Sequence, residues 1–280
     1  MIELHDYFKP LNPGIYSVKD RWETTHIGRL IETHSADYFP ELKNKEIVIF
    51  NVPEYEGSKN SQSEEECKIR LLLYNLHCDF SLRIADLGFI NLMPTRKESF
   101  EVIENVCKVL ISNGIIPIII GGGHDVSYAV YKAYASIDKF ITITSVDNKF
   151  DIGLEEDNLA SFSHFSKMIG YKPSHLFHYV NLAYQSYYVS PIAVDMLNNM
   201  NFDVIRLGDL RLGMHEIEPV MRNTDFLSFD ISAIKHSFAS GNIYSTPNGL
   251  EGEEACRIMR YAGISDKISS VGIFEYNPDL

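Results

Sequence analysis

Short runs of apolar, often β-branched residues alternate along the chain with longer segments whose apolar residues recur at the helical period. The short runs predict about eight strands, at residues 47–52, 84–90, 115–120, 140–146, 176–181, 204–207, 226–231 and 270–274. The segments between them predict helices at residues 65–76, 95–113, 125–136, 163–169, 191–200, 215–221 and 251–261. Because the strands are apolar on both faces and separated by helices, they indicate a parallel sheet covered on both sides.

No internal repeat and no shift in composition divides the chain, so we predict a single α/β domain over residues 1–280. The first 40 residues are polar and contain prolines, which predicts an N-terminal extension ahead of the first strand. Residues 54–66 are polar and acidic, which is typical of a solvated surface loop.

The excess of acidic over basic residues disfavours some classes of binding partner. The 25 basic and 38 acidic residues give a formal net charge of −13, which repels nucleic acid and anionic membrane surfaces. The longest apolar run, residues 115–120, is far shorter than the roughly 20 residues that span a bilayer, and the N-terminus lacks a signal-peptide pattern. We therefore expect a cytoplasmic protein. Four cysteines without a Cys-x-x-Cys pair predict reduced thiols, with neither zinc nor disulfides.

A glycine cluster ends the third predicted strand and leads into a helix. Gly121, Gly122 and Gly123 are followed by His124 and Asp125, without the Lys-Ser/Thr of a P-loop or the spaced glycines of a dinucleotide fingerprint. A nucleotide site is therefore disfavoured. Glycines allow a sharp turn that would bring His124 to the sheet edge as a metal ligand. The alternative is a histidine that begins the helix and hydrogen-bonds only to backbone.

Carboxylates follow three further predicted strands. Asp147, Lys149 and Asp151 share one face if the chain stays extended after its strand. Asp230 lies within an otherwise apolar run, where a carboxylate is costly unless it is paired or binds a cation, and Glu275 ends the last strand. In open parallel sheets ligands bind beyond the carboxyl ends of the strands, so we predict a site at this edge.

Five motifs carry these residues: Gly-Gly-Gly-His-Asp at 121–125, Asp-Asn-Lys-Phe-Asp at 147–151, Ser-Phe-Asp at 228–230, Thr-Pro-Asn-Gly-Leu at 246–250 and Glu-Tyr-Asn-Pro at 275–278. In order and spacing, residues 69–280 resemble the ureohydrolases, the superfamily of arginase, agmatinase and formimidoylglutamase, and formimidoylglutamase most of all. The resemblance implies an arginase-like three-layer α/β/α fold with an eight-stranded parallel sheet. It also implies a binuclear manganese site, hydrolysis of a C–N bond in a small guanidino or formimino compound, and a homo-oligomer, a trimer or hexamer.

Two of the metal-binding motifs depart from the family pattern. Where the family has Asp-x-His-x-Asp, this chain has Lys149 in place of the histidine. Where the family has Asp-x-Asp-x-x-Asp-Pro, the positions are Asp230, Ser232, Lys235 and His236.

Carried over by position, one ion keeps all of its ligands: His124, Asp147, Asp151 and Asp230. The other ion would need Lys149 and Ser232, so we expect one Mn²⁺ at most. Histidine to lysine and aspartate to serine together change the charge by +2, the charge of one divalent ion. We therefore expect the Lys149 ammonium within about 4 Å of Asp147 or Asp230, as a replacement for the second cation. The alternative is that Lys149 extends into solvent and no ion binds.

The resemblance also implies roles for residues around the ion. Asp151 would accept a hydrogen bond from the attacking water, and Glu275 would bind the planar amidinium of the substrate through both oxygens. His164 has the spacing of the arginase proton-shuttle histidine, although its neighbours differ from that loop. Asn60 is a remnant of the family's substrate loop, which is otherwise absent at residues 59–64.

Two functions from different classes stay open. One is an active hydrolase of linear amidines at a reduced, mononuclear metal site. The other is a non-catalytic binding or regulatory protein that keeps the fold but has lost one or both metals. Lys149 and Ser232 are the residues that separate them.

Overall fold

A single ten-stranded sheet forms the centre of the computed structural model, which describes residues 4–16, 19–58, 68–78, 83–153, 159–277 and 279–280. Within these residues the strands are β1 (Phe8–Lys9), β2 (Glu32–Thr33), β3 (Ile47–Asn51), β4 (Ile84–Ile90), β5 (Ile116–Ile120), β6 (Ile141–Val146), β7 (Leu176–Tyr184), β8 (Asp203–Arg206), β9 (Phe226–Asp230) and β10 (Ser270–Phe274).

Helices surround the sheet. They are α1 (Pro13–Tyr16), α2 (Ile27–Leu30), α3 (Lys68–Tyr74), α4 (Arg96–Ser112), α5 (Val126–Ala135), α6 (His164–Gly170), α7 (Pro191–Asn199), α8 (Leu207–Leu212), α9 (Ile217–Asn223) and α10 (Gly252–Gly263), with short 3₁₀ turns at Leu4–Tyr7, Lys19–Arg21, Met214–Glu216 and Ile231–Ala233. None of these helices is long and apolar enough to cross a bilayer.

The strands follow the order β1-β4-β3-β5-β10-β9-β6-β7-β8, and β2 pairs with β4 away from this path. All pairings are parallel except that of β1 with β4. The eight predicted strands are therefore confirmed as a parallel set, and the predicted fold class is confirmed. The short strands β1 and β2 are additional, since two-residue strands leave no periodic pattern in a sequence.

Alternation along β3 shows how the two faces are covered. Val48 and Phe50 belong to the core that includes α4 and α5, whereas Ile49 packs on the opposite face in a cluster with Tyr74 of α3. Farther along that second face, side chains of β9 and β10 form a core with α8, α9 and α10. The sheet is thus buried on both faces, which explains why its strands are apolar throughout.

The N-terminal segment, residues 1–40, contributes strands to the central sheet rather than only preceding it. Its strands β1 and β2 both pair with β4, and Phe8, Leu11, Ile15 and Ile31 are buried. These apolar residues lie several positions apart among polar ones, which is why the composition of residues 1–40 predicted an extension.

A buried ion pair fixes α3 to β4. Arg70 donates from Nε to Asp86 Oδ2 at 2.7 Å and from Nη2 to Asp86 Oδ1 at 2.9 Å. Tyr74 donates its hydroxyl to Asp86 Oδ2 at 2.8 Å. Both charged side chains are fully buried. Desolvating two charges is costly, so this pair is stable only because its geometry is bidentate and further hydrogen bonds satisfy it.

We expect Arg70→Ala to lower the free energy of unfolding by about 3–5 kcal/mol, because Asp86 would remain as a buried carboxylate without its cation. Urea denaturation measures the change. Arg83→Ala is the matched control: it removes an exposed pair with Glu46 and should cost less than about 1 kcal/mol. Equal losses in the two variants would contradict a structural role for the buried pair.

Candidate metal centre

The turn after β5 places a histidine at the carboxyl edge of the sheet. Gly121 and Gly122 adopt positive φ values of 80° and 78°, a conformation that side chains other than glycine rarely adopt. A Cβ on Gly122 would lie 3.1 Å from the carbonyl oxygens of Val52 and Glu54, so the turn also packs closely on the neighbouring loop. As the glycine cluster predicted, this turn delivers His124, which is 1% exposed.

Three carboxylates converge on His124 Nδ1. The oxygens nearest to it are Asp151 Oδ2 at 2.7 Å, Asp147 Oδ2 at 3.4 Å and Asp230 Oδ2 at 3.7 Å. One donor atom from each of the four residues lies within 4.8 Å of the others, and all four side chains are buried. The predicted convergence of these residues is confirmed; their role as metal ligands stays a prediction.

Neighbouring groups hold the orientation of each donor. The other ring nitrogen of His124, Nε2, lies 2.8 Å from Ser228 Oγ, so donation of Nε2–H to this hydroxyl leaves Nδ1 to face the carboxylates. Asp147 Oδ1 accepts from the backbone N–H of Lys149 at 3.0 Å, and Asp230 Oδ1 accepts from that of Ser232 at 2.6 Å. Each of these two aspartates therefore turns its second oxygen towards His124.

The donor set fits a divalent cation. Although His124 Nδ1 and Asp151 Oδ2 are only 2.7 Å apart, neither atom makes a hydrogen bond of acceptable geometry to any described residue. Two buried polar atoms without a hydrogen-bond partner among the described residues are suited to share a cation. Asp151 is also held at a positive φ of 50°, a strained conformation for this residue. One imidazole with three carboxylates suits Mn²⁺ and similar ions.

Burial and mutual repulsion perturb the acids of the centre. Burial, with the charge of Asp147, raises the pKa of Asp230 to about 7 and raises that of Asp151 well above its ordinary value. Burial opposes ionisation of Asp147 as well, but the adjacent charge of His124 holds its pKa below the usual range. For His124, burial disfavours the cation, yet the adjacent carboxylates of Asp147 and Asp151 raise its pKa. Without a metal, protons therefore balance part of the negative charge.

Lys149 lies elsewhere than expected. Its ammonium makes no ion pair with Asp147 or Asp230 among the residues that the structure describes, and Nζ lies 5.3 Å from the ring centroid of Tyr244. The chain bends directly after β6 instead of staying extended, so the side chains of residues 147, 149 and 151 do not share one face. The expected contact with the carboxylates is therefore wrong.

Glu275 lies directly beside the cluster. It is 1% exposed, and its Oε1 accepts from the backbone N–H of His124 at 2.8 Å, while Oε2 accepts from the hydroxyl of Ser58 at 2.5 Å. Its φ of 64° is strained for a residue other than glycine. Asn60, the other residue predicted to bind substrate, lies outside the described residues.

The sequence matches the model of the Arginase family over residues 58–280. The chain belongs to the arginase family. Among curated arginase-family proteins, it is 26% identical over 209 residues to the formimidoylglutamase of Bacillus subtilis, covering 70% of this chain and 66%, just under two thirds, of that relative. It is 21% identical over 303 residues to the formimidoylglutamase of Legionella pneumophila strain Paris, covering 98% and 91%.

Solved structures of the arginase family share the fold. Trypanosoma cruzi formiminoglutamase with Mn²⁺ matches with a TM-score of 0.75 at 22% identity, over 86% of this chain and 88% of that one. The Bacillus subtilis formimidoylglutamase matches with a TM-score of 0.77 at 22% identity, over 91% and 85%. The ureohydrolase resemblance predicted from the sequence is therefore confirmed.

His164 lies against the ligand cluster at the position that arginase-like spacing predicts. Its Nδ1 donates to the carbonyl of Ser161 at 2.8 Å and lies 3.5 Å from Asp151 Oδ2, and its ring centroid is 4.4 Å from that of His124. Burial, together with the charge of His124, lowers the pKa of His164 to about 3. His164 is therefore a neutral donor at pH 7 in this arrangement.

Sequence analysis missed the residues that tie the loops of the arginase-family site together. Arg96, at the start of α4, pairs with Asp125 and lies 3.3 Å from Glu54, and it also donates to the carbonyl of Leu159. One guanidinium thus joins the loops that follow β3, β5 and β6. Glu54 is 4% exposed, so the predicted solvated loop begins with a packed residue, whereas Glu56 is exposed as predicted. The acidic composition of this segment did not indicate that one of its glutamates, Glu54, is a buried partner of Arg96.

We expect Mn²⁺ affinity to rise as the pH rises from 6 to 8. Asp230, with a pKa of about 7, together with Asp151 and His124, whose pKa values are raised, holds protons that the metal must displace. Affinity should increase by about tenfold or more over this range, because one proton lost corresponds to tenfold per pH unit below the pKa. Calorimetry in buffers of different ionisation enthalpy counts the protons released. An affinity independent of pH would contradict this description of the metal-free centre.

Proposed function

We propose that the protein is a metal-dependent hydrolase that cleaves the C–N bond of a small linear amidine, in the manner of formimidoylglutamases. The observation that carries the proposal is the convergence of three buried carboxylate oxygens on His124 Nδ1. An assembly of like charges is costly to bury, and a bound divalent cation would offset that cost. The manganese-bound Trypanosoma relative supports Mn²⁺ as the ion.

We infer that His124, Asp147, Asp151 and Asp230 hold a single ion. A divalent ion in such a site supplies a Lewis acid that lowers the pKa of water. A second ion lacks two ligands, because Lys149 turns towards Tyr244 and Ser232 provides only a hydroxyl. The side-chain amide of Asn148 also lies 2.9 Å from the carbonyl of Ser232 and 3.4 Å from its Oγ, so polar protein groups already contact that position.

The remaining side chains supply proton transfer and substrate binding. Asp151 is the acceptor for a proton of the attacking water, the role that the family resemblance implies for it. His164, whose Nδ1 lies 3.5 Å from Asp151 Oδ2, keeps the role of proton shuttle that the family resemblance implies. Glu275 receives the substrate amidinium, the role that the family resemblance implies for it, while its oxygens accept from the His124 N–H and the Ser58 hydroxyl.

Hydrolysis of a formimino substrate adds water to the imine carbon and expels the amino product, with formamide as the second product. The formimidoylglutamase relatives favour N-formimidoyl-L-glutamate over guanidino compounds as the substrate. A cytoplasmic location and a homo-oligomer, a trimer or hexamer, belong to the same proposal.

The activity test measures formamide released from N-formimidoyl-L-glutamate by protein purified with Mn²⁺, with agmatine and arginine as comparison substrates. We expect Asp151→Asn to reduce kcat/KM by about a hundredfold or more, because it removes both a ligand and the proton acceptor. Asp138→Asn is the control, since this aspartate is 93% exposed and its ion pair within the described part of the chain is with His175, which precedes β7. Manganese binding without hydrolysis of any substrate would instead favour a non-catalytic binding protein.

Metal analysis by mass spectrometry tests the number of ions. We expect about one Mn²⁺ per chain in the native protein and a rise towards two in Lys149→His combined with Ser232→Asp, which restores the two missing ligands. An unchanged metal content in the folded double variant would show that the second ion is excluded by more than these two residues. A native protein with no metal at all would contradict the proposed hydrolase.

A further inference from the structure

Two histidines face each other across a short backbone bridge that shares no residue with the candidate metal centre. His26 and His77 form an isolated antiparallel bridge. The backbone N–H of Ile27 donates to the carbonyl of Leu76 at 2.8 Å, and the residue after His77 donates to the carbonyl of the residue before His26 at 2.9 Å. These hydrogen bonds flank the histidine pair, which is the arrangement in which cross-strand side chains approach most closely.

The bridge holds the two imidazoles against each other. Their ring centroids lie 4.0 Å apart, with an angle of 29° between the ring planes. The Oγ1 of Thr25 lies 2.8 Å from Nδ1 of His77, so this hydroxyl can accept Nδ1–H and leave the Nε2 lone pair of His77 for a metal.

Glu23 adds a carboxylate to the pair. One ring nitrogen of each histidine and one carboxylate oxygen of Glu23 all lie within 4.8 Å of one another. Glu23 and His77 are exposed and His26 is half-buried, so ions can reach the cluster from solvent. Donors bound at about 2.0–2.2 Å to one ion lie up to about 4 Å apart, so small rotations of exposed side chains bring these three donors to a common ion.

The types of donor indicate which ion this cluster suits. Imidazole nitrogens suit Zn²⁺, Cu²⁺ and Ni²⁺, whereas Mn²⁺ and Mg²⁺ prefer sets of oxygen ligands. Two imidazoles and one carboxylate are a set that binds Zn²⁺ in proteins, with water as the fourth ligand. The net charge of −13 also attracts cations to the surface. The cluster therefore favours zinc, whereas the carboxylate-rich centre at the sheet edge suits manganese.

We propose that Glu23, His26 and His77 bind one Zn²⁺ and thereby fasten the N-terminal segment to the turn that follows α3. Glu23 and His26 belong to the first of these parts of the chain and His77 to the second, so an ion bound by all three links residues more than 50 positions apart. The inference is independent of the proposed function, because none of these residues belongs to the candidate metal centre.

Zinc binding exchanges one hydrogen bond of the metal-free cluster. The Nδ1 of His26 accepts from the backbone N–H of Glu23 at 2.8 Å, so the ring proton is on Nε2. An ion that binds Nδ1 replaces this N–H, and an ion that binds Nε2 moves the ring proton to Nδ1. In both cases the N–H of the exposed Glu23 is hydrated instead, which lowers zinc affinity by about tenfold at most.

The single tryptophan of the chain lies beside the cluster and provides a local probe. Trp22 directly precedes Glu23, and its Nε1 donates to Asn75 Oδ1 at 3.1 Å. Its ring also contacts that of Tyr74 edge-on, at 5.5 Å between centroids. The indole thus touches both parts of the chain that the ion would link, so its fluorescence should respond to zinc bound there.

The test titrates Zn²⁺ into the manganese-supplied protein, followed by calorimetry and by the fluorescence of Trp22. His77→Ala and Glu23→Gln each remove one donor, and both side chains are exposed. His215→Ala is the matched control, because it removes an exposed histidine that is outside the cluster. Since Zn²⁺ can also exchange with Mn²⁺ at the sheet edge, the deciding quantity is the difference between the native chain and each variant.

We expect the native chain and His215→Ala to bind one Zn²⁺ more than His77→Ala, with a change in Trp22 fluorescence that His77→Ala lacks. Glu23→Gln should weaken this zinc by about tenfold, because a neutral amide replaces the charged ligand. Zinc should also raise the thermal unfolding midpoint of the native chain more than that of His77→Ala, because the ion binds only the folded form.

Two results would overturn the inference. One is the same zinc content and the same fluorescence change in the native chain and His77→Ala. The other is no response of Trp22 in the native chain at millimolar Zn²⁺. If His77→Ala does not fold, Glu23→Gln decides by the same comparison, and native affinity in that variant would count against the site.

Discussion

Repulsion among buried carboxylates is the constraint on which this site depends. Asp147, Asp151 and Asp230 bring their oxygens to within 4 Å of one imidazole nitrogen in a region with little access to water. Such an arrangement is stable only if positive charge is shared among them. Protons supply that charge when the site is empty of metal, as the raised pKa values of His124 and Asp230 show. Binding of a metal ion to this site is therefore coupled to the release of protons from its ligands.

Sheet topology brings the acids together despite their separation along the chain. The strands that carry the site, β5, β10, β9 and β6, are adjacent in the sheet, although they are not consecutive in sequence. Their parallel pairing puts all four carboxyl ends at one edge, with Phe274 beside Asp230 in the register of β10 and β9. Buried apolar strands thus position the charged residues, and the Arg96 pairings with Asp125 and Glu54 hold the loops above them.

The features that could be predicted from the sequence are those marked by a periodic pattern of apolar residues or by a position at the end of such a pattern. Strands buried on both faces leave continuous apolar runs, and residues at the ends of such runs, His124 and Asp230 among them, could be assigned to the site from sequence. Side-chain direction in irregular backbone leaves no such signal. The bend after β6 turned Lys149 away from the acids. The two-residue strands of the N-terminal segment and the burial of Glu54 depend on partners far away in the sequence, which local patterns do not contain.

The position of Lys149 also changes what its charge accomplishes. Lys149 and Ser232 change the charge by +2 relative to the family pattern, which equals the charge of one divalent ion. Coulomb attraction nevertheless falls with distance and with exposure to water, so the position of the ammonium decides whether it stabilises the acids. Because the ammonium makes no ion pair with the acids, most of the compensation inside the cluster must come from His124, whose ring contacts all three carboxylates.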